Sequence, residues 1–186
     1  MNFRFKNNLI KAGEVESINV YNSYSQVKEI VFDQPIGIKA LARMMKSGRR
    51  WQKKLLNGDD VITGETGNDY IWGGDGNDKI VGGRGSGTLI GGRGDDVIFG
   101  GPSGAEYFQA AWGGPGKDTY ILDSKGHIMI EDFDIKHDTL NFAGIKGLYL
   151  DYDSENGHTY IVDKNDEAAV ARLNGVSDIN EVNVVY

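Results

Sequence analysis

A nine-residue period in glycine constrains this chain more than any other feature. Nineteen of the 27 glycines lie between Gly58 and Gly116. Cut in nines from Leu55, the segment reads LLNGDDVIT, GETGNDYIW, GGDGNDKIV, GGRGSGTLI and GGRGDDVIF. A sixth block opens at Gly100–Gly101 and carries four extra residues, and a seventh, GGPGKDTYI, restores the pattern. Position 4 holds Gly58, Gly67, Gly76, Gly85 and Gly94; position 8 holds Ile62, Ile71, Ile80, Leu89 and Ile98. Position 6 is Asp60, Asp69, Asp78 and Asp96, with Gly87 the exception.

A fixed period of this kind marks an architecture in which each unit buries its core only against its neighbours. Three of the nine positions can form strand, and the other six must turn the chain. Turns that dense need positive φ, which glycine adopts at little steric cost. In a three-residue strand the middle side chain faces away from its two neighbours, so position 8 stacks inward and positions 7 and 9 face out. One buried aliphatic side chain is worth about 1.5–3 kcal/mol. Ordering a backbone costs roughly 1–2 kcal/mol for each of its residues. The aliphatic column needs a second source of cohesion.

The pattern G-G-x-G-x-D-x-U-x resembles the RTX family, the calcium-binding nonapeptide repeats of haemolysin-type secreted bacterial proteins. The resemblance implies a mainly β fold, a right-handed parallel β-roll with two nonapeptides per turn over residues 55–122. It also implies calcium as the missing cohesion. Stacked carboxylates about 4.8 Å apart repel by roughly 3–4 kcal/mol at an effective dielectric near 20, and a hard cation between them reverses the sign. Calcium takes 6–8 oxygen ligands, which aspartates and turn carbonyls supply. The candidate ligands are the carboxylates of Asp60, Asp69, Asp78, Asp96 and Asp118, with the glycine turns at Gly58, Gly67, Gly74, Gly76, Gly92, Gly94, Gly114 and Gly116. With two blocks per turn, Asp60, Asp78 and Asp96 stack on one edge, which Asp118 extends. On the other edge Asp69 meets Gly87, and the sixth block offers Ser103, Gly104 and Glu106 out of frame.

The flanks carry weaker signals. Residues 1–36 read as a β-like lead, with apolar-rich stretches at Ser17–Tyr21 and Val27–Phe32. Residues 37–56 read as a short helical cap for the first rung: Leu41, Met44 and Met45 share a helical face, and Trp51 and Leu55 are four apart. Residues 123–186 read as an antiparallel β region. His127–Phe142 is similar to the segment that follows the repeats in RTX proteases, which makes Asp132 and Asp138 candidates for a further calcium. The ending Val182–Tyr186 behind Glu181 resembles the uncleaved C-terminal signal of type I secretion substrates. That likeness implies the type I machinery as a partner and a secreted, extracellular location. Met1–Ile10 has no apolar core of the kind a secretory signal peptide needs. No run of about 18 apolar residues exists to span a bilayer.

Charge is segregated. Residues 1–54 hold 11 Lys/Arg against 4 Asp/Glu, and residues 55–186 hold 9 against 23. The basic run from Lys39 to Lys54 reads as a solvated face beside an acidic neighbour, with no nucleic acid as partner. The absence of cysteine excludes disulfides and thiolate metal sites. The chain has no H-E-x-x-H zinc site and no G-x-S-x-G elbow, and Gly113–Thr119 lacks the Walker spacing. The sequence therefore reads as a non-catalytic calcium-binding module, not an enzyme, that folds on calcium after export. Two alternatives stand beside it. One is an interaction module for surface, glycan or protein that uses outward Tyr70 and Trp72 with Thr88 and Ile90. The other is the C-terminal calcium-binding part of a larger secreted enzyme or toxin.

Overall fold

The computed structural model describes strand segments within 4–37 and residues 56–64, 66–101, 108–124, 126–165, 167–178 and 180–186. The described residues contain no helix. The helical cap expected over 37–56 lies outside them, except for Gly37 and Leu56 at its two ends. Among the described residues, no helix is long and apolar enough to cross a membrane.

The lead contributes β1 (Arg4–Phe5), β2 (Leu9–Lys11), β3 (Glu14–Ile18), β4 (Val20–Tyr21) and β5 (Val27–Gly37). Then follow β6 (Val61–Gly64), β7 (Tyr70–Asp75), β8 (Lys79–Val81), β9 (Thr88–Arg93), β10 (Val97–Phe99), β11 (Phe108–Trp112), β12 (Thr119–Ile121), β13 (His127–Ile130) and β14 (Thr139–Asn141). These alternate between two sheets. Even-numbered strands pair in parallel in the order β6-β8-β10-β12-β14, and odd-numbered ones in the order β7-β9-β11-β13. The result is a mainly β protein built on a parallel β-solenoid of about four turns.

The register follows the repeat. Ile62, Ile80, Ile98, Tyr120 and Leu140 face one another in a column along one sheet. Ile71, Leu89, Ala111 and Ile130 form the column of the other. All nine are buried and belong to one core cluster. The glycines let the turns approach this closely. Gly74, Gly92 and Gly114 have φ of 125°, 124° and 95°. A Cβ on each would also fall within 3.0 Å of the carbonyl oxygen one turn earlier, on Leu56, Gly74 and Gly92 respectively. Backbone handedness and steric room therefore demand glycine at the same position.

The solenoid is edged at its start by strand rather than left open. β5 pairs antiparallel with β6, with Ile30 opposite Ile62, and β3 and β2 continue that sheet outward. At the other end the parallel stacking runs on beyond residue 122. β17 (Ala169–Asn174) joins β13 in parallel, and β18 (Asn183–Val185) joins β14. Between them β15 (Leu148–Asp153) and β16 (His158–Asp163) form an antiparallel hairpin whose second strand pairs antiparallel with β17. The stacking continues because Ile128, Ile130, Leu140 and Leu173 keep apolar side chains facing the core after the glycine signature has ended.

Candidate metal centre

The sequence places an aspartate just before every strand of the β6-β8-β10-β12-β14 sheet, and the fold stacks them. Asp60, Asp78, Asp96, Asp118 and Asp138 form one column, each no more than 2% exposed. The backbone carbonyl of each of the first four accepts from the first strand residue one turn later, at 2.7–2.8 Å: Lys79, Val97, Thr119 and Thr139. The backbone N–H of Asp60, Asp78, Asp96 and Asp118 donates to Oδ1 of the next aspartate, at 2.8, 2.8, 2.9 and 2.9 Å. One carboxylate oxygen per turn is thus committed to holding the turns together.

The other oxygen is not. Oδ2 of Asp78, Asp96 and Asp118 is buried without a hydrogen-bond partner among the described residues. Each lies over the first glycine of its own block. A Cβ on Gly73, Gly91 or Gly113 would come within 3.0 Å of that oxygen. The Gly73 and Gly91 positions also lie within 3.0 Å of the carbonyl oxygens of Gly91 and Gly113, and Tyr120 Oη is 2.6 Å from the Gly113 position. The repeat leaves a cradle of oxygens around a point that any other residue would fill. Burial is the main cause that raises these carboxyls above the ordinary range, to about 6 for Asp78 and about 7 for Asp96 and Asp118. The N–H bond each accepts opposes the rise, and neighbouring carboxylates add to it. Burial also raises Asp138, and it raises Tyr120 far above its usual range with help from Asp132.

Such a site suits a hard cation. Its donors are carboxylate and carbonyl oxygens, as calcium requires at 2.3–2.6 Å. Among the described residues no three His, Cys, Asp or Glu side chains converge as a metal cluster, so any ion here must draw on turn carbonyls as well. The carbonyls of Gly58, Gly74, Gly76, Gly92 and Gly94 all line the stacked turns, each close to the glycine one turn later. Gly114 and Gly116 stand at the end of these two columns.

On the opposite edge Asp69 is buried, with Oδ2 2.8 Å from the Cβ position of Gly64 and Gly82 O within 3.0 Å of the same point. Gly67 continues that edge and donates to the carbonyl of Arg84 at 2.8 Å. The residue one turn beyond Gly87 is Gln109, since Ala110 pairs with Thr88. Asp132 stands apart from the column. Its Oδ1 accepts from Gly113 N at 2.9 Å and from the Tyr120 hydroxyl at 3.3 Å, and its Oδ2 accepts from Gly114 N at 3.0 Å. Asp138 accepts from Asp118 N and Asp134 N, at 2.9 and 2.8 Å, with one oxygen each.

A second ladder escaped the sequence reading. At position 5, Asp59 Oδ1 accepts from Asn77 N, Asn77 Oδ1 from Asp95 N, and Asp95 Oδ1 from Lys117 N, at 2.7, 2.7 and 2.9 Å. Its side chains reach forward to the next turn, whereas those of position 6 reach back. The signal was there: position 5 is Asp59, Asn68, Asn77 and Asp95 in four of the first five blocks.

Comparison with known proteins locates these features. A family model described as the RTX calcium-binding nonapeptide repeat matches residues 56–89 and 82–103. No curated protein matches the chain. Among solved structures, the chain is similar to the solution structure of the AlgE6R3 subunit of the Azotobacter vinelandii mannuronan C5-epimerase. The identity is 21% and the TM-score 0.48, over 63% of this chain and 77% of that one.

Proposed function

Since residues 56–103 belong to the RTX calcium-binding nonapeptide repeats, whose family binds calcium ions, we propose that this chain is a non-catalytic module whose roll folds when calcium becomes available outside the cell. The observation that carries this reading is the column of buried carboxylates with uncommitted oxygens at Asp78, Asp96 and Asp118. Bound calcium supplies positive charge to carboxylate oxygens that are otherwise buried beside turn carbonyl oxygens. The protein's part is to hold the ligands. Backbone N–H groups fix one oxygen of each carboxylate, glycine leaves room beside the other, and the parallel backbone ladders set the spacing between turns.

Metal binding then counts as folding free energy, because the site exists only in the folded chain. In a calcium-poor cytosol residues 55–122 stay largely unfolded and fit for passage through the type I machinery. Outside, millimolar calcium winds the roll, right-handed as parallel crossovers are. Asp69 and the Asp132–Asp138 segment supply further, weaker ligands. Far-UV circular dichroism in chelator, followed by millimolar calcium, tests the reading. A strand signal should appear with calcium, and a signal unchanged by calcium would refute it.

A second reading has its own support. The outer face of the β7-β9-β11-β13 sheet exposes Tyr70 (64%), Phe108 (47%) and Trp112 (37%). Beside Phe108, a cavity of about 360 Å³ is lined by His127, Met129, Tyr160 and Arg172 among others. This face suits an extracellular partner, with the calcium roll as its rigid support.

A further inference from the structure

The two edges of the roll differ at one turn, and the difference is filled. Gln109 stands one turn beyond Gly87, in the column that holds Asp69 one turn before. Its side chain is 1% exposed. Its Nε2 donates to the carbonyl of Gly85 at 2.9 Å and, more weakly, to that of Gly83 at 3.4 Å. A Cβ on Gly82 marks the point that carboxylate and carbonyl oxygens share on the opposite edge. Here that point lies 2.7 Å from Gly100 O, 3.0 Å from Leu89 Cδ1 and 3.2 Å from Gln109 Cδ. No carboxylate reaches it, and the amide and a methyl group occupy the space.

The amide needs Gly87. A Cβ there would fall within 3.0 Å of Gln109 Oε1 and 2.9 Å from Asp69 O. Two departures from the repeat, glycine at 87 and glutamine at 109, are therefore complementary in space. The amide is oriented by its NH2 end, which alone can face two carbonyls, and its Oε1 is buried without a hydrogen-bond partner among the described residues.

We infer that Gln109 is a neutral stand-in for a cation: its NH2 group meets the turn carbonyls that an ion would gather, so the turn between blocks four and six takes no calcium. This rests on the calcium-binding reading above, and it confines loading of the roll to the Asp60–Asp138 edge and the first turn at Asp69. An N–H donor satisfies those carbonyls without adding charge. No carboxylate remains there to be neutralised.

The test is the number of bound ions, counted by native mass spectrometry at saturating calcium, with the melting temperature in the same buffer. Gln109→Leu should keep the wild-type count and melt roughly 2–4 °C lower, because the Gly85 carbonyl loses its donor. Gln109→Glu should bind one ion more. Loss of an ion in Gln109→Leu would show that the amide oxygen is a ligand and would overturn the inference. So would an unaltered melting temperature in Gln109→Leu, or an unaltered count in Gln109→Glu. Asp78→Ala is run alongside: if it keeps every ion, the calcium-binding reading itself has failed, whatever Gln109 does.

Discussion

Protons should substitute for calcium in holding this roll together. The perturbation is acidification from pH 8 to pH 5 with chelator present throughout. An unfolded aspartate titrates near 3.8, whereas in the folded calcium-free roll Asp78 titrates at about 6 and Asp96 and Asp118 at about 7, chiefly because they are buried. A carboxyl whose pKa is raised by folding contributes stability that is complete below its unfolded pKa and is lost as pH climbs through the folded one. Between pH 8 and pH 5 the chelated protein should therefore gain stability as acid is added, the reverse of ordinary acid denaturation. Each pKa unit is worth about 1.4 kcal/mol. Over this pH window that gives roughly 1–3 kcal/mol for each of the three carboxyls. Calcium affinity should fall over the same window, since protons and ion compete for the same oxygens. Far-UV circular dichroism and hydrogen exchange in chelator at stepped pH give the readout. Asp96→Asn, which removes one titration, should raise the chelated stability at pH 8 and flatten the profile. A chelated protein no more ordered at pH 5 than at pH 8 would show that these carboxyls are not the obstacle to folding without metal.

Asp78→Ala should cost several-fold more calcium affinity than Asp69→Ala in a calcium titration, because Asp78 has aspartates on both sides and Asp69 faces Gly87; equal losses would contradict the edge assignment. Gly92→Ala should destabilise the calcium-loaded roll by at least about 2 kcal/mol in urea unfolding. It forces a side chain onto a φ of 124° and against the carbonyl of Gly74.

The repeated part of the fold was legible because its period is short and each position has one job. Ile62, Ile71, Ile80, Leu89 and Ile98 are placed inward by spacing alone, and they stand in the two buried columns. The stack from Asp60 through Asp96 follows from two blocks per turn, a count that the family resemblance supplies and the spacing alone does not. What escaped was set by partners far away in sequence. Gln109 was hidden by the four extra residues of its block, which shift the frame before the strand resumes at Phe108. The continuation through Ile128, Ile130 and Leu140 carries no glycine pairs, because its turns are closed by other means, among them the Asp132 carboxylate on Gly113 and Gly114. The residues of β5 read as strand, but nothing local in them names β6 as their neighbour.

The spacing of the aspartate column sets how a protein of this kind can change length. Asp60, Asp78 and Asp96 are 18 residues apart, two nonapeptides to the turn. A duplication or deletion of 18 residues lengthens or shortens the solenoid and leaves every carboxylate on its own side. Loss of a single nonapeptide sends all later rungs across to the other sheet, which would bring Gln109 into the aspartate column and strand Asp96 among the opposite turns. Residues added between strands do no such harm. Asp96 and Asp118 are 22 apart and still hydrogen-bonded. The structural unit of this architecture is the pair of nonapeptides.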